Sequence, residues 1–509
     1  ASKSYTRTST IGFNQLLNYS KSFNDHNFEL LAGHESQDFT QDFLTGSKSN
    51  LIIDGNPELI NFVTITDLQS QKDNLKEESY FGRINYNFGY KYYLSSSIRR
   101  DGSSRFADGN KWGTFWSVGG SWSIDKEKFM ENVEFVDHLK FRTSYGELGN
   151  SRGIGFYPAQ ALFALDNNNQ NESGFIRSSL GNPDLQWETS TNFDVALEFG
   201  LFTRLNGSVE FYRKESSNLL FDVPVADSDG ISSRQANIGT LFNQGIEVSL
   251  SYDIFNKDDF NWNINVNAST LQNEFTVLPQ EEIINGTKKL VVGGSLFDYW
   301  IRDWYGVDPT DGSGLFVAED ETAAGVRTVN GVAVTPFANN AKFHNAGSVI
   351  PDLTGSITNS LKYKNFALNF LFTYQIGGEN LDFNYAGIMG SANYGGAKSV
   401  DILNRWQKPG DITDVPRLDA NTTDWDGTSD RWLTDASFLN LRQVNFSYDL
   451  PSEVANKIHM SGVRFFANAE NLFSINARKG FNLQQAFSGN TSNAYTPSRV
   501  VSLGVNLKF

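Results

Sequence analysis

The sequence predicts an all-β protein: an antiparallel transmembrane β-barrel to which this chain contributes about fifteen strands. Three observations predict it. Apolar and polar residues alternate with a period of two in segment after segment. The alternating segments run about ten residues or more, where ordinary globular strands average about five or six and tilted membrane strands need about nine to eleven. The connections alternate between short and long, as in barrels with short periplasmic turns and long outer loops.

The elements follow in order. The predicted strands are 11–20, 27–36, 79–88, 92–100, 114–124, 139–147, 192–200, 206–214, 244–254, 260–270, 353–363, 366–376, 436–450, 462–472 and 496–509. "NFDVALEFGL" sets Phe193, Val195, Leu197, Phe199 and Leu201 against Asn192, Asp194, Ala196 and Glu198. "GIEVSLSYDI" repeats the pattern with Ile246, Val248, Leu250, Tyr252 and Ile254. "FNWNINVNAS" places Phe260, Trp262, Ile264, Val266 and Ala268 opposite a row of asparagines. The chain closes with Val501, Leu503, Val505, Leu507 and Phe509 on one parity. Each of these has one apolar and one polar face.

Short connections fall at 21–26, 89–91, 201–205, 255–259 and 364–365, with 125–138 and 451–461 somewhat longer. Long polar stretches fall at 37–78, 101–113, 148–191, 215–243, 271–352, 377–435 and 473–495. The segment 125–138 is expected to form one or two helical turns. Tyr90, Tyr92, Tyr93, Trp116, Trp122 and Trp262 stand at strand ends, where aromatic girdles meet the membrane interfaces. A soluble β-sandwich or β-helix would show the same alternation. Strand length, loop rhythm and the strand-end aromatics count against it.

Composition agrees. Phe, Tyr and Trp make up 14% of the 509 residues and Gly numbers 44, which suits aromatic-rich strands joined by glycine turns. Hydropathy alone would suggest a soluble protein, because no run approaches the ~18 apolar residues of a spanning helix. The absence of cysteine excludes disulfides, thiolate metal sites and cysteine nucleophiles. The net charge of 42 − 58 = −16 argues against a nucleic-acid partner, which needs a basic face. No signal peptide opens the sequence, so a mature or incomplete chain is expected.

Several stretches carry a resemblance. "RRDGSSRFADGNKWGTFWSVGGSWSIDKEKFM" (99–130), "LKFRTSYGELGN" (139–150), "GNPDLQWETSTNFDVALEFGLF" (181–202) and "ANIGTLFNQGIEVSLSYD" (236–253) resemble the SusC/RagA family of TonB-dependent outer-membrane transporters. So do "YGVDPTDGSGLF" (305–316), "WLTDASFLNLRQVNFSYDLP" (432–451) and "ANAENLFSI" (467–475). The resemblance runs nearly from end to end. It implies the C-terminal barrel portion of a bacterial outer-membrane importer of oligosaccharides or peptides, in a barrel of about 22 strands with a plugged lumen. It further implies a SusD-like lipoprotein at the extracellular face, energy from a TonB complex and contact with outer-membrane lipid. The sequence departs from the family in lacking an N-terminal half. No plug, TonB-contacting segment or N-terminal accessory domain is found in 1–509, so these are expected elsewhere. The alternatives are a structural component of a larger outer-membrane insertion or secretion machine, and a passive porin.

No catalytic constellation stands out, and an enzyme is not expected. His26, His34, His138, His344 and His459 show no ligand spacing. "DWDGTSD" (424–430) resembles part of a calcium loop through Asp424, Asp426 and Asp430, but lacks the spacing and terminal Glu of a full one. "DPTDGSG" (308–314) is weaker, and neither a metal nor a cofactor is assigned. Trp300, Trp304, Tyr305, Tyr394, Trp406, Trp425 and Trp432 sit in long loops, where flat rings suit sugar stacking, a lid or packing of one loop on another. No substrate-binding residue is named. Glu198, Glu210, Glu247, Asp253, Asn265, Arg464 and Glu470 are expected to face the lumen, since a charge facing lipid near the midplane costs roughly 2–4 kcal/mol.

Val501, Leu503, Val505, Leu507 and Phe509 are expected to face lipid, with Val505, Leu507 and Phe509 as the barrel-assembly signal. Strand parity then places Ala1 at the extracellular side and pairs the first strand with one from an N-terminal portion. Loops 271–352 and 377–435 are expected to meet the SusD-like lid.

Overall fold

The computed structural model describes residues 1–165, 172, 174–226, 228, 230–390, 395–419, 424–478, 488–491 and 496–509. Fifteen strands form the main wall. They are β1 (Ser2–Phe23), β2 (His26–Leu51), β3 (Phe62–Phe88), β4 (Tyr92–Ser103), β5 (Trp112–Ser123), β6 (Val136–Asn150), β7 (Glu188–Leu201) and β8 (Leu205–Ser217). Then come β9 (Thr240–Lys257), β10 (Phe260–Ser269), β11 (Leu353–Tyr363), β12 (Phe366–Ile376), β13 (Phe438–Asp449), β14 (Gly462–Asn476) and β15 (Val500–Lys508). Each pairs antiparallel with its neighbours in chain order. Among the described residues, β1 pairs only with β2 and β15 only with β14.

The register carries one apolar face across the wall. Phe23 lies opposite His26, Phe88 opposite Tyr92 and Tyr92 opposite Trp122. Farther along, Trp262 faces Leu361, Leu368 faces Phe446, and Phe465 faces Val505. The rings touch at the short-turn end, where Phe255, Phe260, Tyr363, Phe366 and Tyr448 follow one another. Strict alternation puts the next residue on the other face, and Tyr93 shows it. Tyr92 joins the outer belt, but Tyr93 points inward beneath Lys140, whose Nζ is 5.2 Å from the ring centroid. The expectation that Tyr93 belongs to a girdle is therefore wrong.

The stretch 37–78 is also corrected. It is not a polar loop but the upper part of two strands of 26 and 27 residues, β2 and β3, paired from His26–Phe88 to Leu51–Phe62. Polar residues fall on both of its faces, even where Asp73 and Leu75 are buried beside the Phe39–Phe156 stack, so the apolar stripe that marks a strand is missing. Ala1 pairs with Lys48 near the top of this ribbon, at the long-connection end. The segment 125–138 opens with two 3₁₀ turns, Ile124–Lys126 and Lys128–Met130. No helix among the described residues is long and apolar enough to cross a membrane.

The long connections are structured. Residues 282–348 form two small sheets, and 379–435 add the helix Phe383–Met389, several 3₁₀ turns and a short strand pair.

Candidate transport wall and loop platform

The polar parity of β6–β10 builds an inner wall. Arg142 on β6 is its centre: Nε donates to Glu198 Oε1 at 2.9 Å, Nη1 reaches Asp194 Oδ1 at 3.5 Å and Nη2 donates to Glu210. Glu210 and Glu247 lie opposite each other, as do Asp253 and Asn263. Asn263 donates to Ser251 Oγ and Asp253 Oδ1, and Asn265 donates to Asn263 Oδ1. Arg464 holds Asp449 through two hydrogen bonds of 2.6 and 2.9 Å. The register thus brings all seven polar residues expected at the lumen onto one face. A concavity of about 450 Å³ opens on the same face over β2–β7, lined by Glu29, Asn85, Tyr93, Lys140, Arg142 and Asp194 among others. Sequence reading missed Arg142, because a single basic residue on a polar parity has no local signal for the three carboxylates it gathers.

The second candidate is the loop platform. Tyr299, Ile301, Leu381, Met389, Ile402, Val415, Trp425 and Trp432 pack into one core that joins 271–352 to 377–435. Trp432 is 1% exposed and Trp425 3%, so both rings are packing elements here. Arg431 sits among Trp304, Trp425 and Trp432, with its guanidinium 4.6, 5.4 and 4.8 Å from their centroids. Burial pulls its pKa down to about 10. Trp406 lies against Gly312, where φ is +74° and a Cβ would fall 2.4 Å from the ring. Tyr305 donates to Val329 O, and Trp300 packs beside Phe343 under Lys289. Tyr394 lies outside the described residues.

The described residues Arg478 and Gly489 of 473–495 join the platform. Tyr299 Oη donates to Gly489 O, Leu381 N donates to the same carbonyl at 2.7 Å, and Arg478 pairs with the buried Asp382 at 3.3 Å. A tyrosine 190 residues from its partner and an arginine 96 residues from its own leave no trace in local pattern.

The two acidic turns separate. In "DPTDGSG", Arg327 neutralises both Asp308 (3.1 Å) and Asp311 (2.8 Å). Burial pushes Asp311 up, but Arg327 and Ser313 outweigh it and hold the carboxyl at about 2. In "DWDGTSD" the carboxylates diverge. Asp424 accepts from Ala338 N, while Asp430 accepts from Trp304 N and pairs with His344 at 3.2 Å. Burial raises the Asp430 pKa, and nearby Asp303 adds to the rise.

At the short-turn end, Glu127 accepts from Trp122 Nε1 at 2.9 Å, from Lys91 at 3.1 Å and from Tyr92. These donors lower its pKa to about 2.

The family model "TonB dependent receptor-like, beta-barrel" matches residues 2–506. The chain belongs to this family. Family members reside in the outer membrane, and the wall described above has their barrel fold. Among similar proteins are TonB-dependent receptor P3 of Formosa agariphila, 28% identical over 99% of this chain and 53% of that protein. TonB-dependent receptor SusC of Bacteroides thetaiotaomicron is 24% identical over 98% of this chain and 50% of that protein. A chain of the RagAB peptide transporter superposes with a TM-score of 0.86 at 27% identity, covering all of this chain and 56% of its own length. The chain thus spans about half the length of the relatives it matches, consistent with the SusC/RagA resemblance in its motifs.

Proposed function

We propose that this chain is the C-terminal barrel portion of a SusC-like, TonB-dependent importer that carries an oligosaccharide or a peptide across the outer membrane and catalyses no covalent chemistry. The observation that supports this most is the joint one of fold and identity with the RagAB peptide transporter along the whole chain. The outer edges of β1 and β15, unpaired among the described residues, support a barrel completed by further strands, because backbone N–H and C=O groups facing lipid each cost several kcal/mol unless paired. In this reading an N-terminal portion supplies those strands, the plug that meets the inner wall, and the TonB contact. A SusD-like lipoprotein rests on the platform formed by 271–352 and 377–435.

Purification of the native complex, followed by uptake assays with labelled oligosaccharides and peptides, tests the reading. One lipoprotein partner and saturable, TonB-dependent uptake are expected. A barrel recovered alone, or one bound stably to many secretion components without uptake, overturns it.

A further inference from the structure

Asp303, His344 and Asp430 come from three separate segments of the platform and converge. One ligand atom from each lies within 4.8 Å of the others. The backbone explains the convergence. Residues 298–302 and 343–348 are paired strands, with Arg302 opposite Phe343. A parallel bridge between Arg302 and Ser429 then sets Asp303 beside Asp430.

Among the described residues, no arginine or lysine pairs with the cluster. Arg302 donates instead to the carbonyls of Ala338 and Thr428 and lies over Phe343. Arg431 is held among the three tryptophans and donates to Asp414 O. Asp430 has His344 as its ion-pair partner, and the Asp303 carboxylate has neither an ion pair nor a hydrogen bond among the described residues. The contrast with Asp308 and Asp311 is direct, since Arg327 occupies the space between that pair. Two carboxylates this close repel each other unless they share a proton or a cation lies between them.

We propose that Asp303, His344 and Asp430 bind a first-row divalent transition metal that clamps the 298–348 sheet to the 424–432 turn. Two carboxylate oxygens and one imidazole nitrogen suit Zn²⁺ and its neighbours, whereas Ca²⁺ takes oxygen ligands. Three protein ligands leave a coordination position open to water or to a group on a docked molecule.

Calorimetric titration of the metal-stripped, detergent-solubilised protein with Zn²⁺, and separately with Ca²⁺, tests this. One Zn²⁺ site per chain is expected, with Ca²⁺ binding weaker. Asp303→Asn and His344→Gln should each weaken Zn²⁺ at least about tenfold, the scale on which loss of metal-site groups acts. His459→Gln, at a turn on the opposite end of the wall, should leave it unchanged. Asp303→Asn removes no hydrogen bond, so its metal-free fold should match wild type by circular dichroism. Zn²⁺ should also slow proteolysis of the platform in wild type but not in Asp303→Asn. Equal Zn²⁺ affinity in wild type and both ligand variants overturns the assignment, as does the absence of any Zn²⁺ site in the wild-type protein.

Discussion

Trp432→Ala should open the loop platform while leaving the barrel wall standing. Trp432 is 1% exposed, donates from Nε1 to Gly427 O at 3.1 Å, and meets Tyr385 edge-on with 6.2 Å between centroids. Truncating a buried tryptophan to alanine costs about 3–5 kcal/mol. The cation–π contact from Arg431 is also lost, but that guanidinium keeps Trp304 at 4.6 Å, so the middle of the range is the appropriate value. About 4 kcal/mol is close to a thousandfold shift in the equilibrium between packed and opened loops. Two backbone amides report it. Leu381 N donates to Gly489 O, and Asp382 N donates to the carbonyl of residue 432, which alanine retains. Hydrogen exchange at both should accelerate by roughly that factor. Amides of the β6–β7 ladder should stay protected, and heat-modifiability should be normal. Unchanged protection at Leu381 and Asp382 in a properly assembled variant would refute the claim that these loops share a core.

Other outcomes follow from the same contacts. The Glu127 carboxyl titrates at about 2 in the folded state, below its unfolded value, so its contribution to stability is complete above the unfolded pKa and fades as pH falls toward 2. Thermal melts between pH 6 and 3 should therefore show a shallower acid slope in Glu127→Gln than in wild type. Arg327→Met leaves the Asp308 and Asp311 carboxylates facing each other; since Arg327 is one-third exposed, the lower end of the about 3–5 kcal/mol scale for a broken buried pair applies, read as faster exchange in 305–335. Deleting Phe509 should reduce the amount of assembled, heat-modifiable barrel in outer-membrane fractions; wild-type levels would remove Val505, Leu507 and Phe509 from any role as an assembly signal.

The wall was legible because a membrane strand writes its two environments into neighbouring residues. Phe193, Val195 and Leu197 against Asp194 and Glu198 declare both the strand and its orientation. Parity puts Glu210 and Glu247 on one face, and the register of the structure sets them opposite each other. The upper halves of β2 and β3 escaped because polar residues fall on both of their faces and burial is confined to a few positions such as Leu75, which leaves no stripe to read. The platform escaped for another reason. Its core joins Tyr299 to Leu381 and Trp432 across long sequence separations, and short strands such as 298–302 are too brief for periodicity to register. In "DWDGTSD" the aspartates were visible, but the partner that matters to Asp430 is His344, whose proximity depends on strand pairing alone.

The long β2–β3 hairpin gives the molecule an uneven skyline. Its 26 and 27 residues span roughly 85 Å at about 3.3 Å each, or roughly 65 Å of height once tilted, against an apolar band of about 25 Å. Much of the remainder rises as a blade with β1, tipped by Ile52, Ile53 and Ile60 and braced where Phe39 stacks on Phe156. The platform lies toward the other end of the sheet, on the connections that follow β10 and β12. Within this chain the entrance is therefore walled on one flank. A large body arriving from solution finds the approach over β1–β3 obstructed by the blade, whereas the platform flank carries the compact loops on which the lid is proposed to rest. Shortening the blade should thus change how often molecules arrive more than how firmly they are held, and its effect should grow with the size of the visitor.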